Sequence, residues 1–137
     1  MVEIDINYTG ELHTTAKHLQ SGAVIETDAP VDNQGKGEAF SPTDLCASSL
    51  GVCMLTILGI VAKNNDIDLG EVKGKVKKEM SLDLPRRISK ISINFEIPLS
   101  SNHPKKDLIE DAMLNCPVHH SLHPEIEKHI VFTWQHD

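Results

Sequence analysis

The chain opens on a strict alternation. Val2, Ile4, Ile6 and Tyr8 occupy one set of positions, and Glu3, Asp5 and Asn7 the other. Successive side chains of a strand point to opposite faces, so this period of two predicts a half-buried strand. Further strands are predicted near residues 12–17 and, after the Ser21-Gly22 turn signal, near 23–27. Residues 28–40 contain Pro30, Asn33, Gly35 and Gly37 and read as a loop. Ser41-Pro42-Thr43-Asp44 is then a helix start: Ser41 suits the N-cap, Pro42 the first helical position, and Asp44 can answer back three residues on. No charged residue falls between Leu45 and Ala62. Ser48, Ser49, Gly51, Thr56 and Gly59 dilute that stretch, and patterned strands flank it, so it reads as a buried helix rather than a membrane span. So short a chain has little material to wrap a helix that is apolar all round, and a second protomer is expected to cover it.

The remaining pattern adds a strand with Val72, Gly74 and Val76 alternating with Lys73, Lys75 and Lys77. Another follows with Ile91, Ile93, Phe95 and Ile97 alternating with Ser92, Asn94 and Glu96. A second helix is predicted from Pro104 to Asn115, with Leu108, Ile109, Ala112 and Met113 on its apolar face. A helical turn follows Pro117, and a last strand carries Ile130, Phe132 and Trp134. Strands and helices do not alternate strictly, which indicates an α+β fold rather than a parallel doubly wound sheet.

Composition narrows the function classes. The 137 residues are expected to form a single domain over 1–137, able to build a core with 39% apolar and 24% charged residues. Lys and Arg number 13 against 20 Asp and Glu, a net charge of −7. An acidic chain without a basic run argues against nucleic acid and anionic membranes as partners. The opening residues lack an apolar leader core, and three cysteines do not make the disulfide framework of a small secreted domain. A reducing cytoplasm is the expected compartment, with any working cysteine acting as a thiol or a metal ligand.

The three thiols differ in setting. Cys46 and Cys53 lie on the long apolar helix, where a small core residue is the ordinary reading. Cys116 precedes Pro117 directly, which makes it a candidate N-cap of the following turn. A helix N-terminus favours negative charge, so a lowered thiol pKa is expected there. His119, His120 and His123 fall on the same helical face as Cys116. One helix face does not readily place four ligands tetrahedrally around one ion, so no metal site is expected and the histidines read as solvated.

Taken together, SPTDLCASSLGVC, ending at Cys53, and NCPVHHSL, carrying Cys116, resemble the two cysteine motifs of the OsmC/Ohr family of thiol-dependent peroxidases. The predicted element order matches over essentially the whole chain, and TDAP and FSPTDL point to the OsmC-like redox-protein branch. The resemblance implies antiparallel sheets around a long buried central helix, and an intertwined homodimer with active sites at the interface. It also implies that Cys53 is the peroxidatic cysteine and Cys116 the resolving one, acting on organic hydroperoxides. No bound cofactor is implied, only an external dithiol reductant of the lipoyl type.

The pattern departs at two points. Thr43 stands where typical peroxidases of the family carry a Glu before the first cysteine, and no Arg precedes Arg86 and Arg87. Asp44, Lys17, His13, His18, Arg86 and Arg87 are the groups that could support a Cys53 thiolate instead. The competing function is a non-catalytic small-molecule or acyl-binding module on the same fold, motivated by those departures.

Overall fold

The computed structural model describes residues 1–136, and the chain forms two compact units, Met1–Cys46 and a second that begins at Ala47. The first unit is an antiparallel three-stranded sheet of β1 (Ile4–Gly10), β2 (His13–His18) and β3 (Val24–Asp28) in that order. Glu11 and Leu12 join β1 to β2 with φ of 53° and 60°, two left-handed residues in succession. That turn has the twist a tight hairpin needs. Ala16 pairs with both Ile6 and Ile25 across the sheet.

The loop after β3 contains a 3-10 turn, Val31–Asn33, which the sequence pattern did not indicate. It is tied down by Asp28, whose N–H donates to Phe40 O at 3.1 Å and whose Oδ2 accepts from Glu38 N at 3.0 Å. The expected half-burial of β1 is not found: Ile6 is 82% exposed and Tyr8 63%. The alternation marks a face suited to burial, and this chain leaves that face open.

Helix α1 (Pro42–Asn64) leaves the first unit and continues into the second. Its start is a reciprocal cap. Ser41 Oγ accepts from Asp44 N at 3.0 Å, and Asp44 Oδ2 accepts from Ser41 N at 2.9 Å. By length and composition alone α1 is apolar enough to cross a membrane. Within this chain it buries one stripe, of Leu50, Gly51, Met54, Leu58 and Ala62, whereas Val52 and Ile60 are exposed. The expectation was that a second protomer covers what one chain cannot wrap; within this chain the buried stripe is the one that faces the sheet of the second unit.

The sheet of the second unit consists of β4 (Lys73–Met80), β5 (Ile88–Ser100) and β6 (Glu127–Gln135), in that order. Its inner face follows the period of two: Ile91, Ile93, Phe95 and Ile97 are all at most 2% exposed. Gly51 lets α1 approach this sheet, since a Cβ there would stand 2.8 Å from Val76 Cγ2. The β4–β5 pair is antiparallel but β5 and β6 run parallel, so this sheet is mixed rather than antiparallel. The reason is the connection between them. It runs through α2 (Lys106–Leu114) and α3 (Pro117–Ser121), and such a helical crossover returns the chain in the same direction.

Helix α2 buries Ile109 and Met113, but Leu108, expected on the apolar face, is 48% exposed. It contacts β6 through Trp134, whose Nε1 donates to Glu110 Oε1 at 3.4 Å and whose ring lies 5.7 Å from Lys106 Nζ.

Candidate active site

Cys53 sits in the middle of α1 on the border of its buried stripe, and its thiol is half-buried. Cys116 lies at the other end of a short path. Helix α2 ends, Pro117 starts α3, and Cys116 between them takes extended backbone angles (φ −65°, ψ 150°) as the N-cap. Its Sγ accepts from His119 N at 3.4 Å. The side chain is fully buried. The spacing 109, 113, 116 carries the inner stripe of α2 onward to this cysteine, a burial signal already present in the sequence.

The two thiols are near enough for Cys53 to influence the titration of Cys116. Burial pushes the Cys116 thiol up, the N–H groups of α3 pull it down, and the neighbouring Cys53 pushes it up further. The net direction is upward. This corrects the expectation of a lowered value: the cap contributes its hydrogen bonds, but desolvation of a buried anion outweighs them. Cys116 therefore favours its protonated form. A half-buried thiol, Cys53, beside a buried one, Cys116, makes a pair with different surroundings.

The other expected site residues are spread out. Asp44 is occupied by the helix cap. His18 Nδ1 lies 2.6 Å from Ser21 Oγ and closes the turn between β2 and β3, and Lys17 is exposed on β2 opposite Asp5. Arg87 donates to Pro85 O at 2.8 Å and pairs with Asp83 at 3.2 Å, all within the turn between β4 and β5. Arg86 is exposed in the same turn. His13 is held by two carboxylates, with Nδ1 2.5 Å from Asp28 Oδ1 and Nε2 3.3 Å from Glu26 Oε1. Asp28 is buried, and its hydrogen bond together with that of Glu26 raises the His13 pKa. The strand register places His13 directly opposite Asp28, a pairing the linear sequence does not display.

Near Cys116, the rings of His119 and His120 are tilted with centroids 6.1 Å apart, and His123 Nδ1 accepts from Glu125 N. Among the described residues, no three His, Cys, Asp or Glu side chains converge as metal ligands.

A family model described as OsmC-like protein matches residues 35–130, more than half of the chain and all three cysteines. The chain belongs to the OsmC-like family. A structure from Psychrobacter arcticus, assigned to osmotic stress induction and detoxification response, is 45% identical, with 96% of each chain covered and a TM-score of 0.90. An organic hydroperoxide resistance protein from Legionella pneumophila shares the fold at 13% identity, with 97% of this chain and 96% of that chain covered and a TM-score of 0.77. Another from Elizabethkingia anophelis, with thiocyanate bound, does so at 21% identity, 98% of each chain covered and a TM-score of 0.76. A comparison with curated proteins gives no significant match. The α+β architecture of this OsmC-like protein, with one antiparallel and one mixed sheet, is thus the family's.

Proposed function

We propose that this OsmC-like protein reduces organic hydroperoxides to alcohols through Cys53 and Cys116. The observation that carries the reading is the pairing of a half-buried thiol, Cys53, with a buried neighbour, Cys116, whose pKa it helps to raise. In the first step the Cys53 thiolate attacks the distal peroxide oxygen and the O–O bond breaks. Cys53 becomes a sulfenic acid, and the leaving alkoxide takes a proton from Cys116 or water to become the alcohol. In the second step the Cys116 sulfur attacks the Cys53 sulfur, forming the disulfide and releasing water. An external dithiol of the lipoyl type then reduces the disulfide and is itself oxidised to a disulfide. No bound cofactor takes part.

The working form in this reading is a cytoplasmic homodimer in which each chain acts as one domain. Two open apolar features support a second copy: the β1 face with Ile4, Ile6 and Tyr8, and the side of α1 with Val52 and Ile60. Exposed apolar surface of this extent ordinarily marks an interface. Neither nucleic acid nor a membrane is a partner.

Peptide mapping and intact mass after cumene hydroperoxide treatment test the chemistry. A Cys53–Cys116 linkage is expected. If Cys53 remained a free thiol and no linkage formed, the peroxidase reading would fail. Steady-state turnover with a dithiol donor separates this function from a non-catalytic acyl-binding module, which would bind its ligand equally well as Cys53→Ser.

A further inference from the structure

On the outer face of the β4–β5–β6 sheet lies a groove of about 530 Å³. It is remote in character from the thiol pair, being lined by Lys75 and Lys77 on one side, His129 and Val131 on the other, and Ser92 and Asn94 between them. Strand register explains the arrangement. Lys73 pairs across the sheet with Glu96, but Lys75 faces Asn94 and Lys77 faces Ser92, both neutral. Asn94 and Ser92 in turn pair with Val131 and His129 of β6. Neither Lys75 nor Lys77 takes part in an ion pair among the described residues. Thr133 Oγ1 donates to Asn94 Oδ1 at 2.9 Å, which leaves the Asn94 amide N–H groups as donors toward the groove. On a chain of net charge −7, this face presents three lysines against one carboxylate.

We propose that this groove docks an extended, acidic segment of a partner protein whose carboxylates occur at alternate positions. The reason is a match of periods. Lys75 and Lys77 are two residues apart on a strand, roughly 6.6 Å, and carboxylates two residues apart on an extended peptide have the same spacing. Laid along β4, such a segment turns its acidic side chains toward the two ammonium groups. Its intervening side chains lie over Val131 and His129, so the preferred sequence alternates acidic with apolar residues. Lysines on an end strand can also act simply to keep the edge in solvent. That role needs no groove beside them and no bed of neutral hydrogen-bonding partners.

The test uses the full chain, labelled with nitrogen-15, titrated with the acetylated and amidated pentapeptides Glu-Val-Glu-Val-Glu and Glu-Glu-Val-Val-Glu. Their composition and charge are equal, but only the first has carboxylates two residues apart. The alternating peptide is expected to move the amide signals of Lys75, Lys77, Asn94 and Val131 and to bind several-fold more tightly than the other. The Lys75→Glu/Lys77→Glu variant is expected to bind about tenfold more weakly, since two exposed ion pairs become two repulsions. Should that variant misfold, Lys75→Gln/Lys77→Gln gives the same readout with a smaller loss. Equal affinity for the two peptides, signal changes confined to other surfaces, or undiminished binding by the variants would overturn the proposal. The chain's own β1 carries Glu3 and Asp5 between apolar residues. A change of sedimentation coefficient in the lysine variants would therefore assign the surface to a second copy and overturn the proposal as well.

Discussion

Replacing Cys116 by serine tests the division of labour between the two thiols while leaving the fold intact. The Cys116 side chain is fully buried and caps α3, accepting from His119 N at 3.4 Å. Serine is among the best N-cap residues, so its hydroxyl retains that bond, whereas alanine forfeits about 1 kcal/mol. Burying a hydroxyl in place of a thiol costs a similar amount, partly offset because the hydroxyl keeps the cap. Cys116→Ser is therefore expected to change stability by no more than about 1 kcal/mol, roughly 3–5 °C in Tm for a chain of this size. Cys116→Ala should lose about 1–2 kcal/mol, with the cap and the sulfur contacts both gone.

The redox consequence is sharper. Peroxide should leave Cys116→Ser one oxygen atom heavier at Cys53, as a sulfenic acid captured by dimedone, whereas the unaltered chain loses two hydrogens as the disulfide forms. Cys46 cannot take over. It lies seven residues before Cys53 on the same helix. At about 1.5 Å of rise per residue the two Cα atoms are roughly 10 Å apart, beyond the ~7 Å reach of a disulfide. Intact mass, dimedone labelling and thermal unfolding give the three readouts. An intrachain disulfide in Cys116→Ser, or a Cys53 that peroxide leaves untouched, would refute the pairing. A serine variant as unstable as the alanine one would refute the capping argument.

Other substitutions test the supports of the fold. Gly51→Ala should destabilise by about 1 kcal/mol in urea unfolding, because the gain in helix propensity is outweighed by the close approach to the branched, rotationally stiff Val76. Ser41→Ala breaks the reciprocal cap with Asp44 and should cost about 1 kcal/mol in the same assay. His13 is held protonated by Asp28 and Glu26, so its folded pKa is above the ordinary imidazole value. Its stabilising contribution is full below pH ~6.5 and is lost as pH rises through the raised value. Asp28→Asn should lower the His13 titration midpoint seen by NMR and flatten that part of the urea midpoint's pH dependence. An unchanged midpoint would show that the Asp28 contact does not set it.

Local patterns determined most of the secondary structure. Period-two runs located β4, β5 and β6, the Ser41–Asp44 signature located the start of α1, and Cys116-Pro117 located the cap of α3. Each is a short-range consequence of backbone geometry, so neighbouring residues suffice to reveal it. The two cysteine motifs also disclosed the family, since both recur in the chain at the right order. What the sequence could not reveal depends on partners distant along the chain. The parallel course of β6 beside β5 follows from how the α2–α3 crossover returns to the sheet. The register opposing His13 to Asp28, and Lys75 and Lys77 to neutral residues, exists only once strands pair. The upward shift of Cys116 is of the same kind. A helix start favours the thiolate, but the burial that outweighs it comes from the packing of whole elements, and only the tertiary structure sets that balance.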